Sequence, residues 1–380
     1  MQTISDGSKP SWRHLLKLHG PDFLRWMDRN NVLFTCITRI ANVLQPFIKN
    51  AIQSSEDANA VWAVTPAVMS KCNDQETYGM PFASEAYAWL HLLDRYSRTW
   101  NALEVLTRER CLPMGCEGVR VLDVGTGPGS SALAIHDYYH ALTQFGNENS
   151  IELLNQPTNV TCVELAQQTN SFRHHFVEYL QDHIDLAFPL PDFSTVKPKE
   201  ERRSLRQSLL QEEDIWYNEL TDEYEYERRY IPEKVNYITQ KQHRYRLIVF
   251  SNFLTTTDMV DDFKTNLADL FDDANAGTTI LVLGGRNDNY EKIYESVDHL
   301  AESCGFQQII EDEEVSTKDT DVAEIVYATG KAIYQHLQSL SPNDNTEPRE
   351  LARVHKHFGH RRKRAPKSHI RAYRKPGQHG

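Results

Sequence analysis

A nine-residue segment, VLDVGTGPG at residues 121–129, constrains the fold of this chain more than any other feature. The β-branched, apolar run 119–124 predicts a buried strand, and the glycines that follow permit a tight turn. Ser130 then begins an Ala-rich stretch with helical periodicity. A strand, a Gly-rich turn and a helix are the first unit of a doubly wound α/β fold.

The alternation of strands and helices continues to about residue 330. Further strands are predicted at 159–164, 245–250, 278–283, 307–310 and 322–328, with helical stripes between most of them. Residues 183–244 break this rhythm and are predicted to be a charged insertion, so the third core strand cannot be placed. We therefore predict a Rossmann-like, doubly wound and mostly parallel sheet.

The chain divides into three predicted parts. Residues 1–110 show apolar stripes at helical spacing and are expected to form an α-helical N-terminal subdomain, followed by the α/β domain at 111–335. The formal net charge of −12 separates into −22 on residues 1–350 and +10 on the last 30. Because this end is basic and rich in Pro and Gly, we expect a flexible basic tail over 340–380.

Several functional classes are disfavoured by the residue pattern. The G-x-G-x-G turn departs from the G-x-G-x-x-G spacing of dinucleotide binders, and it lacks the GK[ST] ending of a phosphate loop. No apolar run approaches the roughly 18–20 residues of a membrane helix, and no secretory signal is seen near Met1. The six Cys are scattered without a CxxC pair, so no metal site is predicted. We expect a cytoplasmic protein, with a nuclear or mitochondrial location open for a eukaryotic source.

The segment 121–129 resembles the first motif of class I S-adenosylmethionine-dependent methyltransferases, and the resemblance extends over roughly 118–330. It implies a seven-stranded methyltransferase sheet, S-adenosylmethionine as cofactor, and cofactor-binding roles for Asp123, Gly125, Thr126, Gly127, Pro128, Gly129, Glu164, Ser251 and Asn252. In that family the acid at the position of Glu164 holds the ribose hydroxyls, and a carboxylate can accept both hydrogen bonds of a vicinal diol. No catalytic residue is evident. Asp258 and Asp261 are the candidate bases.

The substrate prediction depends on the basic end of the chain. Ten cations could neutralise several phosphates, so we predict RNA, ribosomal or otherwise structured, or an RNA–protein particle as partner. The predicted contacts are Arg361, Arg362, Lys363, Arg364, Lys367, Arg371, Arg374 and Lys375. A protein or small-molecule methyltransferase, with the tail as an address, stays open, as does an inactive subunit of an RNA–protein particle. The oligomeric state is not predicted.

The segment SNFLTTT at 251–257 lacks the Asp/Asn-Pro-Pro-Tyr signature of enzymes that methylate base amino groups, which disfavours that reaction. The helical N-terminal part, the segment RTWNAL at 98–103 and the strand TTILVLGG at 278–285 are similar to the mitochondrial ribosomal small-subunit methyltransferase-like family. That family carries a four-Cys cluster, which this sequence lacks.

Overall fold

The computed structural model describes residues 12–69, 77, 79–115, 118–164, 167–183, 213–218, 223–228, 245–254, 257–285, 288–316, 320–343, 349–359 and 367–376. The N-terminal elements are α1 (Trp12–Arg29), α2 (Val32–Ala51), α3 (Ser55–Met69), α4 (Ala83–Tyr87), a π-helical turn (Ala88–Leu92) and α5 (Leu93–Arg108). Next come β1 (Val119–Val124), α6 (Ser130–Glu148), a 3₁₀ turn (Glu152–Leu154), β2 (Thr158–Val163) and α7 (Gln167–His183).

The insertion contributes β3 (Glu213–Asn218) and β4 (Glu223–Arg228), which pair antiparallel as a separate hairpin. The chain continues with β5 (Leu247–Ser251), α8 (Thr257–Asp262), α9 (Lys264–Asp272), β6 (Thr279–Gly284), α10 (Asp288–Ser303) and β7 (Gln307–Ser316). It ends with α11 (Thr320–Leu340), α12 (Arg349–Gly359) and β8 (Lys367–Arg374).

The main sheet confirms the predicted doubly wound α/β fold. Its strand order is β2-β1-β5-β6-β8-β7, with parallel pairing from β2 through β6. β8 runs antiparallel to both of its neighbours, β6 and β7. The sheet has six strands within the described residues, so the predicted seventh strand is not confirmed. The carboxyl ends of β1, β2, β5 and β6 meet at one edge, where ligands of such sheets bind.

The basic end of the chain is part of the sheet. β8 lies between β6 and β7, with Ile370 and Ala372 fully buried against one layer of helices and Tyr373 buried against the other. The prediction of a flexible tail over 340–380 is therefore wrong for 349–359 and 367–374, which are helix and strand. Alternating burial on both faces, rather than charge, decides the structure of this segment.

The N-terminal helices pack directly on the first helix of the α/β unit. The ring of Phe23 in α1 lies 5.5 Å from Tyr138 in α6, and Trp100 in α5 lies 5.1 Å from the same ring. Arg39 in α2 pairs with Asp137 in α6 at 2.6 Å. One apolar core therefore joins the predicted helical subdomain to one face of the sheet.

The opposite face of the sheet is covered by α8, α9 and α10, which form a second core. Its aromatic centre is Phe271 in α9, whose ring lies 6.2 Å from Phe250 in β5 and 5.7 Å from Phe306 before β7. Burial of three such rings supplies much of the apolar area that holds these helices to the sheet.

The long helix α11 joins the N-terminal helical layer from the far end of the chain. Trp89 Nε1 donates to the Gly330 carbonyl at 2.9 Å, and His336 Nε2 lies 2.8 Å from the Ile52 carbonyl. The predicted strand at 322–328 is wrong, because Val322, Ile333 and Leu337 are buried at helical spacing. Among the described helices, none is long and apolar enough to cross a membrane.

Candidate functional site

The Gly-rich turn after β1 is tied to the end of β2. The backbone N–H groups of Gly125 and Thr126 both donate to the Val163 carbonyl, at 2.9 and 3.1 Å. Gly125, Gly127 and Gly129 have φ values of 66°, 56° and 98°, in the left-handed region that strains L-residues. The sequence needs glycine at all three positions to bring the backbone around so tightly.

Glu164 and Arg173 hold the Gly127 residue from both of its polar backbone groups. Glu164 Oε2 accepts the Gly127 N–H at 2.9 Å, and Arg173 Nη1 donates to the Gly127 carbonyl at 3.3 Å. Asn170 links the two, since its Nδ2 donates to the Glu164 carbonyl at 3.0 Å and its Oδ1 accepts from Arg173 at 2.6 Å. The structure thus places Glu164 beside the turn, where the resemblance implies it should be.

Asp123 is fully buried directly beneath this turn, at the end of β1. The Thr126 hydroxyl donates to its main-chain carbonyl at 2.7 Å. Neither carboxylate oxygen has a hydrogen bond of full geometry within the described residues, although the Thr126 hydroxyl and the Ala132 N–H lie close enough to favour its charged form. Burial raises the pKa of Asp123 to about 7, with the charge of Arg173 acting in the opposite direction. A buried carboxylate with incomplete hydrogen bonding is complementary to a cationic or N–H-bearing ligand.

The ends of β5 and β6 complete this edge. Asn252 has a left-handed φ of 54°, and its N–H donates to the Leu283 carbonyl at 2.9 Å. Phe253 packs against the Gly-rich turn so closely that a Cβ on Gly125 would overlap its ring. Of the predicted pair at this position, Ser251 is buried and Asn252 is half-buried, so the backbone turn brings the latter to the edge.

A polar stripe on the helix from α4 to α5 faces the same edge and was missed by the sequence analysis. Tyr87, His91, Arg95 and Arg98 recur at spacings of four, four and three residues, which a helix places on one face. The Tyr87 ring is 3.6 Å from the position that a Cβ on Gly127 would occupy. Arg95 Cζ lies 4.7 Å from the centroid of the Tyr87 ring, and the His91 ring is 5.2 Å away from it.

The predicted bases are not brought to this edge by any described contact. Both are in α8, where Asp261 is exposed and the side chain of Asp258 lies outside the described residues. Within the described part of the chain, no group of three His, Cys, Asp or Glu side chains could hold a metal ion.

Two of the predicted nucleic-acid contacts have partners inside the fold, and a third is half-buried. Arg371 pairs with Asp298 and lies over the Tyr294 ring at 4.7 Å. Lys375 Nζ donates to two carbonyls at the end of α9, at 2.8 and 2.7 Å. Arg374 is half-buried, and burial lowers its pKa. Arg371 and Lys375 therefore have partners within the fold, and their contact with nucleic acid stays a prediction.

The other predicted nucleic-acid contacts are not tested in this way. Arg361, Arg362, Lys363 and Arg364 lie outside the described residues, and Lys367 is described in its backbone only. Their contact with RNA stays a prediction.

No protein-family model matches the sequence, and no curated protein matches it. Similar solved structures include the [4+2]-cyclase SpnF, at 12% identity over 73% of this chain and 81% of that one, with a TM-score of 0.36. Phosphoethanolamine N-methyltransferase 2 from Haemonchus contortus, in complex with S-adenosyl-L-methionine, is 13% identical over 77% and 58%, with a TM-score of 0.32. A Geobacter sulfurreducens SAM-dependent methyltransferase with S-adenosyl-L-homocysteine is 13% identical over 73% and 96%, with a TM-score of 0.30. These likenesses are distant, so the chemistry of the site rests on its own residues.

Proposed function

We propose that this chain binds S-adenosylmethionine at the carboxyl edge of its sheet and transfers the methyl group to a small molecule. One observation carries the proposal. The buried carboxylate of Asp123 makes no hydrogen bond of full geometry within the described residues, and it ends the strand that leads into a Gly-rich turn whose Gly127 N–H donates to Glu164. A ligand with a positive charge at one end and a diol at the other satisfies both groups.

The residues fit the cofactor in a definite order along the edge. We assign to Glu164 the ribose hydroxyls, because a carboxylate can accept both hydrogen bonds of a vicinal diol. The turn lets the backbone approach the ligand, and Asp123 favours the cationic amino-acid end. When bound, the cofactor supplies a methyl group already activated on a sulfonium. The work of the protein is then to bind, orient and exclude water.

The acceptor is better explained as a small molecule than as RNA. The helix bearing Tyr87 covers the turn from one side, and Tyr290 covers the end of β6, where a Cβ on Gly284 would come within 2.7 Å of its ring. An edge covered in this way suits a compact acceptor. The RNA prediction retains Arg361–Arg364 as its support, since Arg371 and Lys375 are engaged within the fold.

Calorimetry with S-adenosylmethionine and S-adenosylhomocysteine tests cofactor binding directly. Glu164→Ala is expected to weaken binding by about tenfold to a hundredfold, the value of a charge-assisted hydrogen bond. Glu178→Ala is the matched control, because Glu178 lies on α7 as an exposed residue. Equal affinities for the wild type and Glu164→Ala would refute the role of the carboxylate.

The acceptor is found by incubating the protein with methyl-labelled cofactor and cell extract. We expect the label in the small-molecule fraction and not in RNA, and we expect both Glu164→Ala and Asp123→Asn to reduce it. Label in purified RNA, sensitive to those two variants, would support the RNA prediction and overturn the small-molecule proposal.

A further inference from the structure

The helix stripe carries two guanidinium groups into the covered edge. Arg98 Nη2 pairs with Asp94 at 2.6 Å, and the Arg98 side chain is only 16% exposed. Its Nε is buried and has no hydrogen-bond partner within the described residues. Arg95 lies over the Tyr87 ring and forms no ion pair with a described residue. The two guanidinium groups of Arg95 and Arg98 are therefore matched by one carboxylate, that of Asp94, and the Nε–H of Arg98 has no acceptor among the described residues.

Other groups of the stripe do not balance this charge. Burial, with the charges of Arg95 and Arg98, holds the pKa of His91 well below its usual value, so the ring is neutral at pH 7. A buried guanidinium with an incomplete set of acceptors is costly, and an anionic ligand would relieve that cost.

The position of the two arginines connects the cofactor turn with the end of β6. Tyr87 contacts the turn at Gly127, whereas Tyr290 packs against Gly284 and Gly285. The charges of Arg95 and Arg98 act to lower the pKa of both tyrosines, against the larger effect of burial. The guanidinium groups thus lie within electrostatic range of both rings, over the edge where the acceptor is expected.

We propose that Arg95 and Arg98 form a carboxylate-binding site at this edge. The inference rests on the proposed function, because it assigns a ligand group to the same site. The carboxylate belongs either to the methyl acceptor or to the amino-acid end of the cofactor. A planar guanidinium binds a carboxylate in a fork of two parallel hydrogen bonds, which a lysine ammonium does not reproduce.

Two measurements distinguish the sources. The first is calorimetry of S-adenosylmethionine and its decarboxylated analogue with the wild type, Arg95→Gln and Arg95→Lys. The second is ligand-observed NMR of phenylacetate and its neutral isostere phenylacetamide on protein saturated with S-adenosylhomocysteine. Arg108→Gln is the control, because Arg108 is on the same helix with its side chain 51% exposed. Thermal melts of each variant verify folding.

If the two arginines bind the carboxylate of the cofactor, Arg95→Gln should weaken the binding of S-adenosylmethionine by about tenfold or more and leave the affinity for the decarboxylated analogue unchanged. An acceptor carboxylate predicts that phenylacetate binds in preference to the amide, and that Arg95→Gln removes this preference without changing cofactor affinity. Arg95→Lys should be intermediate in either case, and Arg108→Gln should match the wild type.

The proposal is overturned if Arg95→Gln folds and changes neither the cofactor affinity nor the preference for acid over amide. Failure of the wild type to bind either cofactor form would overturn the proposed function instead. In that case, comparing the binding of phenylacetate and phenylacetamide to the cofactor-free protein tests the carboxylate site independently of the cofactor.

Discussion

Two buried aspartates should respond in opposite ways to the same substitution. Asp123 and Asp137 are both fully buried. Burial raises the pKa of Asp123 from 3.8 to about 7. Burial also acts on Asp137, but hydrogen bonds and charges from His136, Arg39 and Tyr96 outweigh it and lower its pKa. Removing the charge should therefore stabilise the fold at the first site and destabilise it at the second.

The size of the effect at Asp123 follows from the shift. Because the pKa of Asp123 is raised in the folded state, its ionisation does not destabilise the fold below pH 3.8. The destabilisation grows as the pH rises and is complete above pH 7. At 1.36 kcal/mol per unit, the ionised carboxylate costs about 4 kcal/mol at pH 8 and about 2 kcal/mol at pH 5. Asp123→Asn should gain about 2–3 kcal/mol more at pH 8 than at pH 5.

Asp137→Asn is the matched control. Asp137 accepts from Arg39 at 2.6 Å and from the Tyr96 hydroxyl at 2.7 Å, so the substitution leaves a guanidinium without its carboxylate. Breaking a buried pair in this way costs about 3–5 kcal/mol. Its lowered pKa means that the loss is present above pH 3.8 and shrinks as the pH falls through the folded-state value.

Urea unfolding at pH 5 and pH 8, followed by circular dichroism, measures both variants against the wild type. The comparison of the two pH values removes contributions of the amide that do not depend on charge. If Asp123→Asn is no more stabilising at pH 8 than at pH 5, the carboxylate is not held in an unfavourable charged state, and the reasoning from burial fails.

The same charge that destabilises the fold should favour binding of the cofactor. Asp123→Asn is expected to weaken the binding of S-adenosylmethionine while it stabilises the fold, which is the usual exchange of stability for function at a binding site. In the wild type, affinity for the cation should fall as the pH drops below about 7, because Asp123 becomes protonated. Calorimetry across this range should show proton release on binding, and Asp123→Asn should abolish it.

Three further outcomes are expected. Gly127→Val should abolish measurable cofactor binding in calorimetry, because a β-branched residue is strained at a φ of 56° and approaches Tyr87. Deleting 367–380 should leave insoluble or unfolded protein by circular dichroism, since β8 lies inside the sheet, whereas loss of a tail would leave a normal melt. Tyr373→Ala should cost about 3–5 kcal/mol in urea unfolding, as for other buried aromatic residues.

The Gly-rich turn after β1 is predictable from the sequence because its signal is local. Gly125, Gly127 and Gly129 follow a β-branched strand directly, and each adopts a positive φ as such a turn requires. Glu164 was found through the resemblance, at the end of the next strand. Arg173 was missed because its role depends on the helix that follows, which places its side chain against Gly127. The stripe from Tyr87 to Arg98 was readable by its spacing, but the apolar stripe on the same helix dominated the pattern.

The strand at the end of the chain is hidden in the sequence because its charges are more conspicuous than its periodicity. In KSHIRAYR at 367–374, Ser368, Ile370 and Ala372 alternate with His369 and Tyr373, which is the pattern of a strand buried on both faces. The ladder to β6 and β7 joins segments that are distant along the chain. Sequence patterns cannot reveal which strand completes a sheet when the pairing is non-local. The basic composition of the segment therefore predicts a tail.

The charge separation of this sequence therefore has an internal explanation for part of its basic end. Arg371 pairs with Asp298 in α10, and His369 Nδ1 lies 2.6 Å from Asp312 Oδ1 in β7. Acids of two preceding elements, α10 and β7, thus provide partners for polar side chains of the last strand. Without β8, the negative charges of residues 1–350 would lack these cationic partners. The last strand therefore contributes neutralisation of charge as well as backbone pairing. High salt should therefore replace only the part of the lost stability that is due to charge when 367–380 are deleted, because screening cannot replace the missing strand pairing.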